Sequence, residues 1–225
     1  MVHPATRRAV LTFVRGLAIP VDLGIVHPAG RAFWLGQPHS PGDVDIAVAR
    51  LAAENSRGAH IFVRPFLAPG WTDLTEHPGI VLVDDLSADA VAAMRRDGIV
   101  PAALVETSPQ NFQAWVRIAA YDVAPCGIAR ATARDLAVRY GADPRAVAAA
   151  QPGRMPGFTN RKEKHRKENG TFPFCRLVSV DPSAVLPSSK VAWKTDSIAA
   201  QAGGPRAASR QTPRPAADSS ISLNS

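Results

Sequence analysis

Cysteine is scarce in this sequence, and long apolar runs are missing. The two cysteines, Cys126 and Cys175, stand far apart with no metal-binding spacing, which excludes a disulfide scaffold or a zinc ribbon and suits a reduced cytoplasmic protein. No stretch approaches the roughly 20 apolar residues that a membrane span requires. The start, Met-Val-His-Pro-Ala-Thr-Arg-Arg, is followed only by a short mixed segment, so neither secretion nor a membrane partner is expected. There is no internal repeat, and no glycine-rich loop has Walker spacing. Acidic residues are the minority, 19 against 26 lysines and arginines, for a net charge of +7.

What is present is enough apolar material for one sizeable core: 46% of the 225 residues are hydrophobic, too many for a wholly disordered chain. The basic excess points to polyanionic partners, because cations that neutralise phosphates release condensed counterions. Much of it lies between Arg154 and Arg176, where Arg161, Lys162, Lys164, Arg166 and Lys167 add to those two and only Glu163 and Glu168 oppose them.

Apolar residues at three- and four-residue spacing (Ala9, Val10, Phe13, Val14, Leu17) predict an amphipathic helix over residues 6–17. Residues 21–26 and 31–35 predict a β-hairpin turning through Pro28 and Gly30. A second helix is expected over 43–54, with Ile46, Val48, Leu51 and Ala52 inward. Strands are expected over 60–65 and 79–83. Ser87 then caps a helix over 88–97 that Gly98 closes. A further hairpin pairs 102–107 with 111–118 through Ser108-Pro109-Gln110, and a helix over 127–140 precedes Asp143-Pro144. Past Val180 the chain is rich in Ser, Pro, Ala and Gln, so residues 1–180 are read as the folded domain and 181–225 as a disordered polar tail.

The strand over 79–83 runs into adjacent carboxylates, Asp84 and Asp85. Hard oxygen donors of this kind suit magnesium or manganese. Successive strand side chains point to opposite faces, so the two share one site only if the strand ends near Asp84; otherwise Asp85 helps cap the following helix and Asp84 is solvated. Asp143 is available as a third carboxylate or as an ordinary turn residue. Residues 153–162, Gly-Arg-Met-Pro-Gly-Phe-Thr-Asn-Arg-Lys, combine flexible backbone with cations, as a phosphate site or a basic surface turn would.

Together these segments resemble the RepB-type primases of broad-host-range plasmids, a branch of the archaeo-eukaryotic primase superfamily. The resemblance runs in order through Ile61-Phe62-Val63-Arg64-Pro65, Val81-Leu82-Val83-Asp84-Asp85-Leu86-Ser87, the 105–116 hairpin, Ala142-Asp143-Pro144 and residues 153–162. It implies that Asp84, Asp85 and Asp143 hold divalent ions for nucleotidyl transfer. It also implies a nucleotide-binding hairpin offering Ser108, Asn111 and Gln113. Arg64, Arg154 and Lys162 are the expected phosphate contacts, with Arg161, Lys164 and Arg166 nearer a template strand. Two departures stand out: residues 145–152, Arg-Ala-Val-Ala-Ala-Ala-Gln-Pro, lack the polar residues and histidine usual there, and a C-terminal helical bundle is replaced by the polar tail.

The reading is therefore an α/β (α+β) domain with a mixed or antiparallel sheet and packed helices. Its expected function is a DNA primase making short primers from nucleoside triphosphates on single-stranded DNA in plasmid-type replication, with Mg2+ or Mn2+ and with other plasmid replication proteins as further partners. The alternative is a catalytically impaired single-stranded-DNA-binding replication accessory protein. A metal-dependent phosphodiesterase would need a histidine near the acidic pair, for which His77, in a turn-like context, is the nearest in sequence.

Overall fold

A computed structural model describes residues 2–28, 30–118 and 124–191. Helix α1 (Pro4–Leu17) leads into β1 (Val21–Val26) and the short β2 (Ala32–Trp34), then α2 (Pro41–Ser56), β3 (His60–Pro65) and β4 (Glu76–His77). Strand β5 (Ile80–Leu86), α3 (Ala88–Arg96), β6 (Ala103–Ser108) and β7 (Asn111–Arg117) follow. Last come β8 (Ala124–Pro125), α4 (Cys126–Arg139), β9 (Gly153–Arg154) and β10 (Arg176–Val180).

Among the described residues the strands form two four-stranded sheets, ordered β2-β1-β3-β9 and β10-β6-β7-β5, and a small β4-β8 pair. Every pairing is antiparallel, in keeping with the α/β architecture read from hairpins and helices that alternate without βαβ units. The second sheet is the middle layer. Along β5, Ile80 and Leu82 enter one core with Phe13, Leu23, Val63 and Trp115, while Val81 and Val83 enter another with Met94, Ile128 and Leu136. Burial on both faces is why this strand reads as an unbroken apolar run. Phe13 of α1 meets Trp115 edge to face, ring centroids 5.6 Å apart, a geometry contributing about 0.5–1.5 kcal/mol beyond area burial.

Local signals set the helix starts. His3 accepts the Ala5 N–H at the head of α1, Ser40 and Asp43 form a reciprocal capping box on α2, and Ser87 caps α3 through the Ala90 N–H. Two expectations need correction. Ile46 is 83% exposed, because the buried stripe of α2 is Val44, Val48, Leu51 and Asn55, and a residue two positions from Val44 lies on the far side of the helix. The fold also runs past Val180: Leu186 donates its N–H to the Arg117 carbonyl, and Leu186 and Val191 are buried in the second core. Residues 192–225, the rest of the expected tail, lie outside the described residues. Both cysteines are buried and free, and no helix among the described residues is long and apolar enough to cross a membrane.

The two sheets meet where Gly153 of β9 faces Trp115 of β7: a methyl there would overlap the indole and press on Leu82 and Gln113. Gly153→Ala is expected to lower stability by about 1–3 kcal/mol, the cost of overpacking, read as a lower urea midpoint at unchanged slope. A wild-type midpoint would show this joint to be looser than its packing implies.

Candidate active site

The acidic pair sits on a bulge. In the β5-β7 ladder Val83 opposes Ala114 and Leu86 opposes Phe112, so Asp84 and Asp85 together face the single residue Gln113. Asp85 has φ 60°, a left-handed conformation that aspartate tolerates better than most residues. The extra residue offsets the strand alternation, and both side chains line one small cavity of about 70 Å³. The sequence reading required the strand to end near Asp84; instead it bulges and resumes at buried Leu86.

Amides from the β6-β7 hairpin hold the carboxylates. Gln113 Nε2 donates to Asp84 Oδ1 at 3.0 Å, and Asn111 Nδ2 donates to Asp85 Oδ1 at 3.0 Å. Thr107 Oγ1 donates to Asn111 Oδ1, and buried Asn160 donates to the Thr107 carbonyl. Burial pushes the Asp84 carboxyl above the usual carboxylate range, the Asp85 charge adds to this, and the Gln113 hydrogen bond partly offsets it.

Across the cavity stand Arg154, Lys162, Lys164 and His165, with Phe62 as the one apolar side chain among the lining residues. Arg154 is 5% exposed. Its peptide N–H donates to Gln113 Oε1 at 2.9 Å, and its guanidinium donates to His60 Nδ1 at 3.1 Å and lies 5.1 Å from the Phe62 centroid. The remaining guanidinium N–H groups meet no partner among the described residues. Because arginine only donates, His60 Nδ1 is the acceptor and the ring is neutral. Burial, then the charges of Arg154, Lys162 and Arg161, pull the His60 pKa down to about 4.

Of the residues singled out in the sequence, Asp84, Asp85, Ser108, Asn111, Gln113, Arg154, Lys162 and Lys164 come together around this cavity. Asp143 arrives through its backbone: its N–H donates to the Asp84 carbonyl at 3.1 Å. Its carboxylate, however, accepts from the Arg145 N–H at 2.9 Å and Nε at 3.2 Å, contacts that hold it below the usual range. Among the described residues no three Asp, Glu, His or Cys side chains are gathered closely enough to hold a metal. Arg64 does not line the cavity. It donates to buried Asp22 at 2.8 Å and stacks 3.9 Å from the Trp34 centroid, because β1 and β3 pair Asp22 with Arg64. Arg161 and Arg166 lie over Phe172, and neither lines the cavity.

Sequence reasoning missed His60, Phe62, Thr107, Asn160 and His165 as parts of the site. The alternation of His60, Phe62 and Arg64 with buried Ile61, Val63 and Pro65 is the signal that would have placed Phe62 on the open face. His77 is fully buried in β4, not in a loop: Nδ1 accepts the Gly79 N–H and Nε2 donates to the Ala149 carbonyl at 2.6 Å. Both ring nitrogens are engaged in holding backbone, which removes the phosphodiesterase reading's histidine.

The family model of the RepB DNA-primase N-terminal domain matches residues 69–201. The chain belongs to this primase family. A mobilization protein A of Escherichia coli is 42% identical over 156 residues, covering 69% of this chain and 21% of that protein. A DNA primase of Acidithiobacillus ferrooxidans is 28% identical over 142 residues, 63% of this chain and 38% of that protein; the chain thus spans well under half of either. Among solved structures, the catalytic domain of primase RepB' in complex with initiator DNA matches with TM-score 0.68 at 32% identity, over 80% of this chain and 87% of that one. The primase-polymerase AEP domain of cyanophage S-2L, at TM-score 0.58 and 12% identity over 82% of this chain and 95% of that one, shares the fold.

The neutral His60 makes the primase fold acid-sensitive. Its folded pKa lies below the usual 6.5, so the unfolded chain takes up the proton first and stability falls as pH drops from about 6.5 towards 4. His60→Gln is expected to lose less melting temperature than wild type over that window; parallel losses would show that His60 does not sense pH there.

Proposed function

We propose that this domain is a template-dependent DNA primase whose synthetic site is the cavity between Asp84-Asp85 and Arg154-Lys162-Lys164. The observation that carries the reading is the facing of two adjacent carboxylates by a buried arginine with unused donors and by two lysines. The donor set fits a hard divalent cation: two carboxylates on one side of a bulge, with Asp84 held against its own burial by the Gln113 amide and the Asp85 peptide N–H. Mg2+ or Mn2+ bound there would supply charge neutralisation at the attacking hydroxyl and the departing pyrophosphate. Asp143 completes the ligand set once its carboxylate is released from Arg145.

The chain's own residues orient and hold. Gln113 fixes Asp84 and the Arg154 backbone together, and Asn111 ties Asp85 to the Thr107 hydroxyl. Arg154 and Lys162 take the triphosphate of the incoming nucleotide, where their charge counts for more than in water. Ser108, at the hairpin end, offers a hydroxyl to the nucleotide. Lys164, Arg161 and Arg166 meet the phosphates of single-stranded template DNA, and other plasmid replication proteins would bring the domain to its start site. A relative's complex with initiator DNA supports the choice of template. A second reading, a single-strand-binding accessory protein that makes no primers, is favoured by the engagement of Asp143 with Arg145.

Primer synthesis on single-stranded DNA with labelled nucleotides and Mg2+ or Mn2+ tests this. Asp84→Ala and Asp143→Ala are each expected to lose at least roughly 100-fold in rate, and Gln113→Ala about 10- to 100-fold, as a residue that orients a ligand. Single-strand binding without any product would establish the accessory reading, and a loss in Asp84→Ala but not in Asp143→Ala would remove Asp143 from the ligand set.

A further inference from the structure

The first sheet carries a row of side chains that starts at Arg154 in the cavity and continues through Phe62, Arg64 and Trp34, to which nucleotide handling assigns no role. Its registers oppose Arg154 to Phe62, Phe62 to Gly24, and Gly24 to Trp34, and directly opposed residues share a face. Leu23, Ile25, Ile61 and Val63 supply the other face and are buried in the first core. His60, Phe62 and Arg64 alternate with them along β3 and stay half-buried. Gly24 has no space for a side chain because the Trp34 ring lies against it, 2.7 Å from where a Cβ would stand. From β9 to β2 the face therefore reads Arg154, Phe62, Trp34, with Arg64 stacked on the indole. At a strand spacing near 4.8 Å the row spans about 14 Å.

We infer that this row is a stacking shelf for a single strand of nucleic acid that leaves the cavity at Arg154 and runs across β3 and β1 to Trp34. It rests on the polymerising reading above and names a surface along which the template would lie. Three observations select this occupant. The row is continuous with the cavity, since Arg154 and Phe62 line both. Aromatic rings alternating with guanidinium planes match flat bases on a charged backbone. Cations stand where the row meets the cavity: Arg154 contacts His60, Lys162 and Lys164 line the cavity with it, and no acidic side chain among the described residues forms an ion pair with Lys162 or Arg161. The charge of Arg64 is answered by Asp22, so its contribution is a planar surface. Residues 24–64 lie outside the stretch matched by the family model.

Trp34→Leu and Phe62→Leu keep apolar bulk and remove the flat ring; Arg64 is left intact because its loss would strand the buried Asp22 charge. Binding of labelled oligo(dT) and oligo(dA) to the full chain is followed by fluorescence anisotropy across a salt series, with melting curves for each variant. Each substitution is expected to weaken both oligonucleotides about tenfold, the order that stacking one base contributes, with an unchanged slope of affinity against salt because no phosphate contact is lost. Trp34→Phe, which keeps a ring, should restore most of the affinity. Wild-type affinity in Trp34→Leu and Phe62→Leu proteins that melt like wild type would overturn the shelf, as would a loss that Trp34→Phe does not restore. Wild-type primer synthesis, run in parallel, reports separately: loss of binding in the variants without any wild-type product would keep the shelf and end the synthetic reading.

Discussion

The side-chain amide of Gln113 works at both ends, accepting the Arg154 N–H through Oε1 and donating to Asp84 through Nε2, and the geometry of the cavity follows from that arrangement. Arg154 belongs to the edge strand of one sheet and Asp84 to the edge strand of the other, so one buried residue sets the distance between the cationic and acidic walls. The packing beside it leaves little freedom. Gly153 admits no methyl against Trp115, and Trp115 is itself held edge-on by Phe13 of the first helix. A site whose supporting shell is locked by packing keeps its geometry when a charged ligand enters and leaves.

The electrostatics of the cavity are unbalanced by construction. Asp84 is driven towards its neutral form by burial, and Arg154 is pulled down by burial while Asp84 and Asp85 oppose the shift. Acid and base walls face each other without a direct ion pair between them among the described residues, and His60 stands neutral behind the arginine. Charges kept apart in this way are costly alone and are answered by ligands carrying both signs. A cation at the carboxylates and phosphates at the arginine and lysines would meet both demands, which is why the primase chemistry proposed for this family member suits the cavity.

Much of this was legible in the residues themselves. The start of α3 followed from Ser87, and the central hairpin from Ser108-Pro109-Gln110, because caps and turns are decided within a few residues. The acidic pair stands out in the sequence because adjacent carboxylates at the end of an apolar strand demand a reason. Local spacing was less helpful for Ile46, whose apolar character suggested burial although the stripe running through Val44, Val48 and Leu51 turns it to solvent. It also stopped the domain at Val180, since a short polar segment that buries only Leu186 and Val191 has no periodicity to detect.

Arg64 and Arg154 look equivalent in the sequence, a basic residue beside a short apolar run, yet one is neutralised by Asp22 and the other opens onto the aspartates. Only strand pairing separates them, because the partner of each lies tens of residues away in the chain. The bulge at Asp85, the amide bridge of Gln113 and the row from Arg154 to Trp34 belong to the same class of long-range fact. The sequence by itself determined the main helices and hairpins, an α/β fold with a mixed or antiparallel sheet, and the adjacency of Asp84 and Asp85 at the end of an apolar strand, since these depend on periodicity and on neighbours within one turn or strand. Tertiary structure alone decided which cations face those carboxylates and that the Asp143 side chain is engaged by Arg145, because side-chain partners are chosen by register and packing between segments that composition and spacing do not relate.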